Sequence, residues 1–293
     1  LVVAEPDLTA FVVTGSDRLS WLNGMLTCDL ATRKPGEAVY GLVVTQKGRI
    51  VSDVVVVVMD DRALVLVQGR VHDSLAATFE RHLMMEDAAV VSARDDFRLF
   101  SAHGPRSGEV LAAACAASAH GGPLDRTGLG GAILVVPVDH EAAALAAIGG
   151  ALERSGGAFG DEAGWNTLRV ECGVPRFGAD FDEATYPQEA ALEGRAVSFS
   201  KGCYLGQEVV CMLQMRGHVK RKLVPLAIDG EGVPLRGASV TANEGGPSVG
   251  DVTSASFSPT LGRVVALAMV KYAFAEPGRS LSVDARPARI VDL

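Results

Sequence analysis

Apolar residues recur along this chain with two different periods, and each change of period marks a new element. Residues 10–13 alternate as a short strand. Ser16 then stands where a helix cap belongs, ahead of Leu19, Leu22, Met25 and Leu26 on one helical face. Residues 39–45 and 50–59 read as strands joined by Gln46-Lys47-Gly48-Arg49, a turn with glycine where φ turns positive. A strand at 63–68, a helix at 71–84, strands at 88–93 and 97–101, a helix at 108–119, a strand at 132–137 and a helix at 141–154 follow. This alternation of strand, helix and paired strands predicts α+β modules of ferredoxin-like type. From Asp161 the texture changes: Asp161 can cap a helix carrying Trp165, Leu168 and Cys172 on one stripe, and turn-rich residues 173–187 come next. After Gly217 short strands punctuated by glycine and proline predict a small antiparallel β-barrel. The expected organisation is an α+β body over residues 1–220 and a barrel domain over 221–293.

Composition narrows the function classes. Hydrophobic residues make up 48% and charged residues 21% of the 293, a globular balance. The net charge of −8 argues against a general nucleic-acid binder, which needs a basic surface; only the run from Arg216 to Lys222 is locally basic. Five cysteines, at 28, 115, 172, 203 and 211, include no Cys-x-x-Cys pair, so neither a disulfide framework nor a zinc site is expected. A reducing compartment, the cytoplasm, fits that usage. The longest apolar run, 54–59, is too short to span a bilayer. The glycine-rich segments lack a Gly-x-Gly-x-x-Gly pattern after a strand, and the six histidines have no metal spacing.

Three places carry candidate chemistry. Ser200-Lys201-Gly202-Cys203-Tyr204-Leu205-Gly206-Gln207-Glu208 crowds a thiol, a cation and two glycines into nine residues. A helix starting near Gly202 or Cys203 would put the thiol at its N-terminus beside Lys201, and both raise the thiolate fraction. Gln207 would share that helical face. The alternative is a small structural cysteine in a turn. Asp53 lies in a valine strand, on the face of Val51, Val55 and Val57, where an acid is costly unless bonded; a wet strand edge is the other reading. Glu171 sits late in its helix, where a negative charge opposes the dipole. Tyr40 lies in the preceding strand, where a tyrosine needs no special explanation.

Lys201-Gly202-Cys203-Tyr204-x-Gly206-Gln207-Glu208 resembles the signature of the YgfZ-type folate-binding proteins, relatives of the glycine-cleavage T-protein (aminomethyltransferase). Gly48-x-Ile50-x-x-Asp53 is similar to the T-protein's Gly-Gly-Ile-x-Asp-Asp, with Ser52 where that family has its first aspartate. Leu168-Arg169-Val170-Glu171-Cys172-Gly173 resembles Leu-Arg-x-Glu-x-Gly, and Thr185 to Leu192 resembles Thr-x-Pro-x-Glu-Ala-Gly-Leu with Ala191 in place of glycine. The resemblance implies a T-protein-like body of interleaved modules and bound tetrahydrofolate. It implies that Glu171 pairs with the pteridine ring, that Asp53 acts near the reactive nitrogen, and that Tyr40 contacts the folate. It further implies support of iron–sulfur cluster assembly or repair, including cluster-dependent tRNA-modifying enzymes. Partners would then be a reduced folate and iron–sulfur enzymes or assembly proteins, with no direct nucleic acid and no membrane. Cys203, with Lys201, would be the functional thiol. A folate-dependent one-carbon (aminomethyl) transferase is the alternative, and a scaffold without ligand a third reading.

Overall fold

The computed structural model describes residues 1–215 and 217–291. The chain divides into two compact units, Leu1–Thr45 with Val51–Asp161 and Arg195–Gln207, and Gln46–Ile50 with Glu162–Gly194 and Glu208–Leu293.

The first unit holds two sheets. Strands β1 (Val2–Ala4), β2 (Leu8–Thr14), β3 (Ala38–Val44), β4 (Ile50–Val58), β5 (Arg62–Gln68) and β6 (Ala89–Ser92) are accompanied by helices α1 (Arg18–Met25) and α2 (His72–His82). Strands β7 (Phe97–His103), β8 (His120–Pro123) and β9 (Gly131–Pro137) come with helices α3 (Ser107–Ala116) and α4 (Glu141–Ser155). One sheet runs β3-β4-β5-β2-β6 and the other β1-β7-β9-β8. Each contains the ferredoxin-like strand order, and β1 completes the sheet of a module whose other strands begin almost a hundred residues later. That is how the two modules interleave.

Period-two alternation decides what each face meets. Ala10, Val55, Val57, Leu64 and Leu66 of one sheet share a core with Leu99, Ile133 and Val135 of the other. Phe100, Ala102, Leu134 and Val136 point the opposite way, into a core with Val110 of α3 and Ile148 of α4. On the outer face of the first sheet Phe11 meets Phe79 of α2 edge-on, and Phe79 meets Trp21 of α1. Every strand of these pairs is therefore buried on both sides, and β4 reads as nearly continuous valine for that reason. Ser16 does not cap α1; its hydroxyl donates to Asp87, and Asp17 precedes the helix without a side-chain cap.

The second unit carries α5 (Glu162–Glu171) and a six-stranded closed barrel. Its strands are β10 (Arg221–Ile228), β11 (Ser239–Thr241), β12 (Ser248–Ser258), β13 (Arg263–Lys271), β14 (Ser280–Val283) and β15 (Arg286–Ile290). Alternate residues such as Val224, Leu226, Val264, Ala266 and Ile290 fill the barrel, leaving no sheet edge open. Val170 of α5 packs on Leu223, Val265 and Leu267 outside it. The expected stripe of Trp165, Leu168 and Cys172 is not the one that is buried. Trp165 of that stripe is buried, but Arg169 and Val170 complete the inward face in place of Leu168 and Cys172, because Arg169 brings its own partners. Two short helices, α6 (Glu193–Ala196) and α7 (Gln207–Met215), complete the chain.

Candidate functional site

Asp53 is buried on the inter-sheet face of β4, where the core of valine and leucine ends. Tyr40 comes from β3 and Gln68 from the end of β5, one step along the ladder from the Val54–Val67 pair. The Tyr40 hydroxyl donates to Asp53 Oδ2 at 3.1 Å, and the Gln68 amide donates to Oδ1 at 3.1 Å. Each carboxylate oxygen thus has one donor and keeps a further lone pair. Burial first, and the Asp53 charge next, raise the Tyr40 phenol well above its ordinary pKa, so it stays a donor at neutral pH. Ser52 is buried and turns its hydroxyl to the Asp53 carbonyl, 2.7 Å away. Sequence reasoning missed Gln68. Its signal was a polar residue closing the inward stripe Leu64, Leu66, beside a strand that already carried an acid.

Strand β8 runs close to the start of β3, and a loop follows it. Gly122 makes that approach possible, since a Cβ there would lie 2.6 Å from the Ala38 backbone nitrogen. The loop is stiffened by Asp125, whose carboxylate accepts from the backbone N–H groups of Thr127, Gly128 and Gly130. Next to it, the Arg126 guanidinium stands over the Tyr40 ring at 5.2 Å.

In the second unit, Glu171 ends α5. Its Oε2 has only a long contact from the Thr260 hydroxyl, 3.4 Å, and its Oε1 is buried with no hydrogen-bond partner among the described residues. A buried carboxylate oxygen without a donor is costly and calls for one. Arg169, on the same helix, is engaged in structure. It donates to Asp180 Oδ2 at 2.7 Å, to Asn166, to Ser254 and to the Val174 carbonyl. Asp180 also accepts from Thr253 and from the Arg176 backbone.

The Lys201–Glu208 stretch is arranged differently from the expectation. Helix α7 begins at Gln207, not at Gly202 or Cys203, because Gly206 takes a left-handed φ of +78°. Cys203 therefore lies outside the helix, and Gln207 does not share a helical face with it; the Gln207 amide reaches only the Gly202 carbonyl, at 3.4 Å. Lys201 Nζ donates to the carbonyls of Asn23, Leu26 and Cys28 at 2.6–2.7 Å, at the negative end of α1. Burial nevertheless lowers its pKa to about 8. Tyr204 is buried, and the Leu205 N–H bonds the Gly24 carbonyl. The segment is thus pinned on both sides of an exposed Gly202-Cys203 tip. Of the other thiols Cys28 is buried, and burial pushes it up to about 11. Cys115, in α3, is exposed, and Cys172 and Cys211 are intermediate.

Of the basic run, Arg216 lies outside the described residues. Arg221 and Lys222 are paired with Glu189 and Glu193 at 3.4 and 3.0 Å. Among the described residues no group of three His, Cys, Asp or Glu could hold a metal, and no helix is long and apolar enough to cross a membrane.

Comparison with known proteins agrees with this architecture. Residues 6–122 match the GCVT N-terminal domain, and residues 221–293 match the glycine cleavage T-protein C-terminal barrel domain. The aminomethyltransferase of Streptomyces coelicolor is 32% identical over 298 residues, covering 94% of this chain and 79% of that protein. The aminomethyltransferase of Halothermothrix orenii is 27% identical, covering 94% and 81%. The crystal structure of glycine cleavage system aminomethyltransferase T from Bartonella henselae superposes with a TM-score of 0.84 over 100% of this chain and 85% of that one, at 20% identity, a likeness of fold. With both of its ends matched and a relative this similar along nearly its whole length, the chain belongs to the glycine cleavage T-protein family.

Proposed function

We propose that this chain binds a reduced folate and serves one-carbon group transfer to it. The observation that carries the folate reading is Glu171 Oε1, buried without a donor at the end of α5. A carboxylate so placed suits the paired N–H groups of an aminopyrimidine edge. In this reading Glu171 orients the pteridine, Tyr40 contacts it, and Asp53 accepts or holds a proton near the reactive nitrogen. Tetrahydrofolate, when bound, would supply that nitrogen as the acceptor of the one-carbon unit. Tyr40 and Gln68 fix the Asp53 carboxylate, so its remaining lone pairs keep a set direction. The transfer itself is supported by what the relatives are named, aminomethyltransferases.

Calorimetry with tetrahydrofolate tests the binding. Glu171→Ala should weaken it by ~1.5–3 kcal/mol, the worth of hydrogen bonds to a charged group. Unchanged affinity would remove Glu171 from the site.

A second reading has its own observation: Cys203, exposed at a tip pinned by Lys201 and Tyr204, within a signature similar to the YgfZ-type proteins. There the protein would bind folate without aminomethyl transfer and support iron–sulfur cluster assembly or repair, with the Cys203 thiol reacting or touching a partner. Ser52, where T-proteins have an acid, fits it. An assay with the aminomethylated lipoyl carrier and tetrahydrofolate decides between the two. Methylene-tetrahydrofolate above background favours transfer. Its absence, together with loss of cluster-dependent enzyme activity in Cys203→Ser cells, favours the second.

A further inference from the structure

The sheet β3-β4-β5-β2-β6 ends on a bare edge. Other edges are covered: the barrel closes on itself, β1 is bridged to Phe159, β3 is bridged to Leu26, and β8 runs close to the start of β3. Strand β6 has β2 on one side and, among the described residues, no strand on the other. Register tells which of its backbone groups face outward. The Ala93 N–H donates to the Ala10 carbonyl, so odd-numbered residues of this strand bond β2. Val90 and Ser92 therefore turn their N–H and C=O groups away from β2, where they have no partner among the described residues. Sheet edges are ordinarily blunted by charge or proline, and Ala89-Val90-Val91-Ser92 carries neither. Val91 is 58% exposed, and Met84 and Met85, in the loop leading to the strand, are 84% and 94% exposed.

We propose that β6 pairs antiparallel with β6 of a second copy of this chain, joining two five-stranded sheets across a two-fold axis. A symmetric antiparallel pair sets one residue opposite itself. Two such centres use the outward groups of Val90 and Ser92. Centred on Val91, the pairing would set Asp87 against Asp95 and Glu86 against Asp96 of the second copy. Centred on Val90, it sets Glu86 against Arg94 at both ends, Val91 over Ala89, and the Ser92 N–H toward the Ala88 carbonyl. Opposite charges facing across strands attract and like charges repel, so charge selects the register on Val90. Arg94 spends one nitrogen on exposed Asp73 and keeps donors for Glu86. The edge lies at the far side of the sheet from β3, which carries Tyr40, so the pairing does not touch the Asp53 cluster.

Sedimentation velocity of the full chain across the micromolar range tests this, with amide hydrogen exchange read at the same concentrations. The mass should rise from one chain's toward two as concentration increases, a short strand making a small interface. Exchange at Val90 and Ser92 should slow as the dimer forms, since both amides are open in the single chain. Val90→Pro should abolish the dimer and keep the fold, because a proline on an edge strand removes only an outward N–H. Glu86→Arg and Arg94→Glu should each weaken self-association severalfold, and the two together should restore it. Both are surface positions, so their effect does not pass through misfolding. A single-chain mass at every concentration would overturn the proposal and leave the edge to an extended segment of another protein. A dimer that survives Val90→Pro, or that forms without slowed exchange at Val90 and Ser92, would put the interface on another face and overturn it as well. Charge exchanges without effect would overturn the register on Val90.

Discussion

At the scale of single residues, the departures from the family-like motifs are the informative positions. Ala191 stands where the resembling pattern has glycine, and its backbone keeps the left-handed conformation, φ +56°. A Cβ there costs ~1–2 kcal/mol, while glycine would cost ~0.5–1 kcal/mol in chain entropy. Ala191→Gly should therefore raise stability by ~0.5–1 kcal/mol, read as a later urea midpoint with unchanged slope. A fall in the midpoint would mean that the alanine methyl packs better than the strain it imposes. Cysteine accessibility is a second residue-scale outcome. Iodoacetamide near neutral pH should label exposed Cys203 and Cys115 early and Cys28 last, since Cys28 is buried and its thiol is pushed up to about 11. Early modification of Cys28 by mass spectrometry would contradict the packing around α1.

Among the elements, α5 shows how a charged residue can replace an apolar stripe. Arg169 and Asp180 are both buried, their ion pair 2.7 Å long, and each has further partners from the turn-rich segment and the barrel. Such a pair is weak evidence for net stability, but removing one member leaves the other charged and alone. Asp180→Ala should lower the stability of its unit by ~3–5 kcal/mol. Asp180→Asn, which retains an acceptor, should lower it less. Equal small losses for both, measured by urea unfolding, would show that Arg169 finds a replacement partner. The helix α7 makes the complementary point: an apolar run and a polar start predict a helix, yet the left-handed Gly206 delays it to Gln207.

For the whole molecule, acid sensitivity has an identifiable source at the end of β7. His103 is buried, with Nε2 2.9 Å from the Ser101 hydroxyl. Burial, and then the Arg126 charge, lower its pKa from the ordinary 6.5 to about 3. The unfolded chain therefore binds more protons between these values, so this residue's contribution to stability is lost progressively as pH falls from about 6.5 toward 3. His103→Gln should make the urea midpoint less dependent on pH in that window; an unchanged slope would place the acid sensitivity elsewhere. The same contrast separates what sequence determines from what tertiary structure decides. Hydrophobic period and turn residues sufficed for the element order and the barrel, and the resemblance of short motifs for the wider T-protein family, because these depend on local backbone preference and on patterns legible without partners. They also marked Asp53 and Glu171, since an acid in an apolar stretch is costly wherever the chain goes. Which groups meet those acids was not legible. Gln68 reaches Asp53 through strand register, Arg126 reaches Tyr40 through loop placement, and Lys201 turns from the thiol to the carbonyls at the end of α1. Each of these is a contact between residues far apart in the chain, and a side chain with several possible partners takes the one that packing brings within hydrogen-bonding distance.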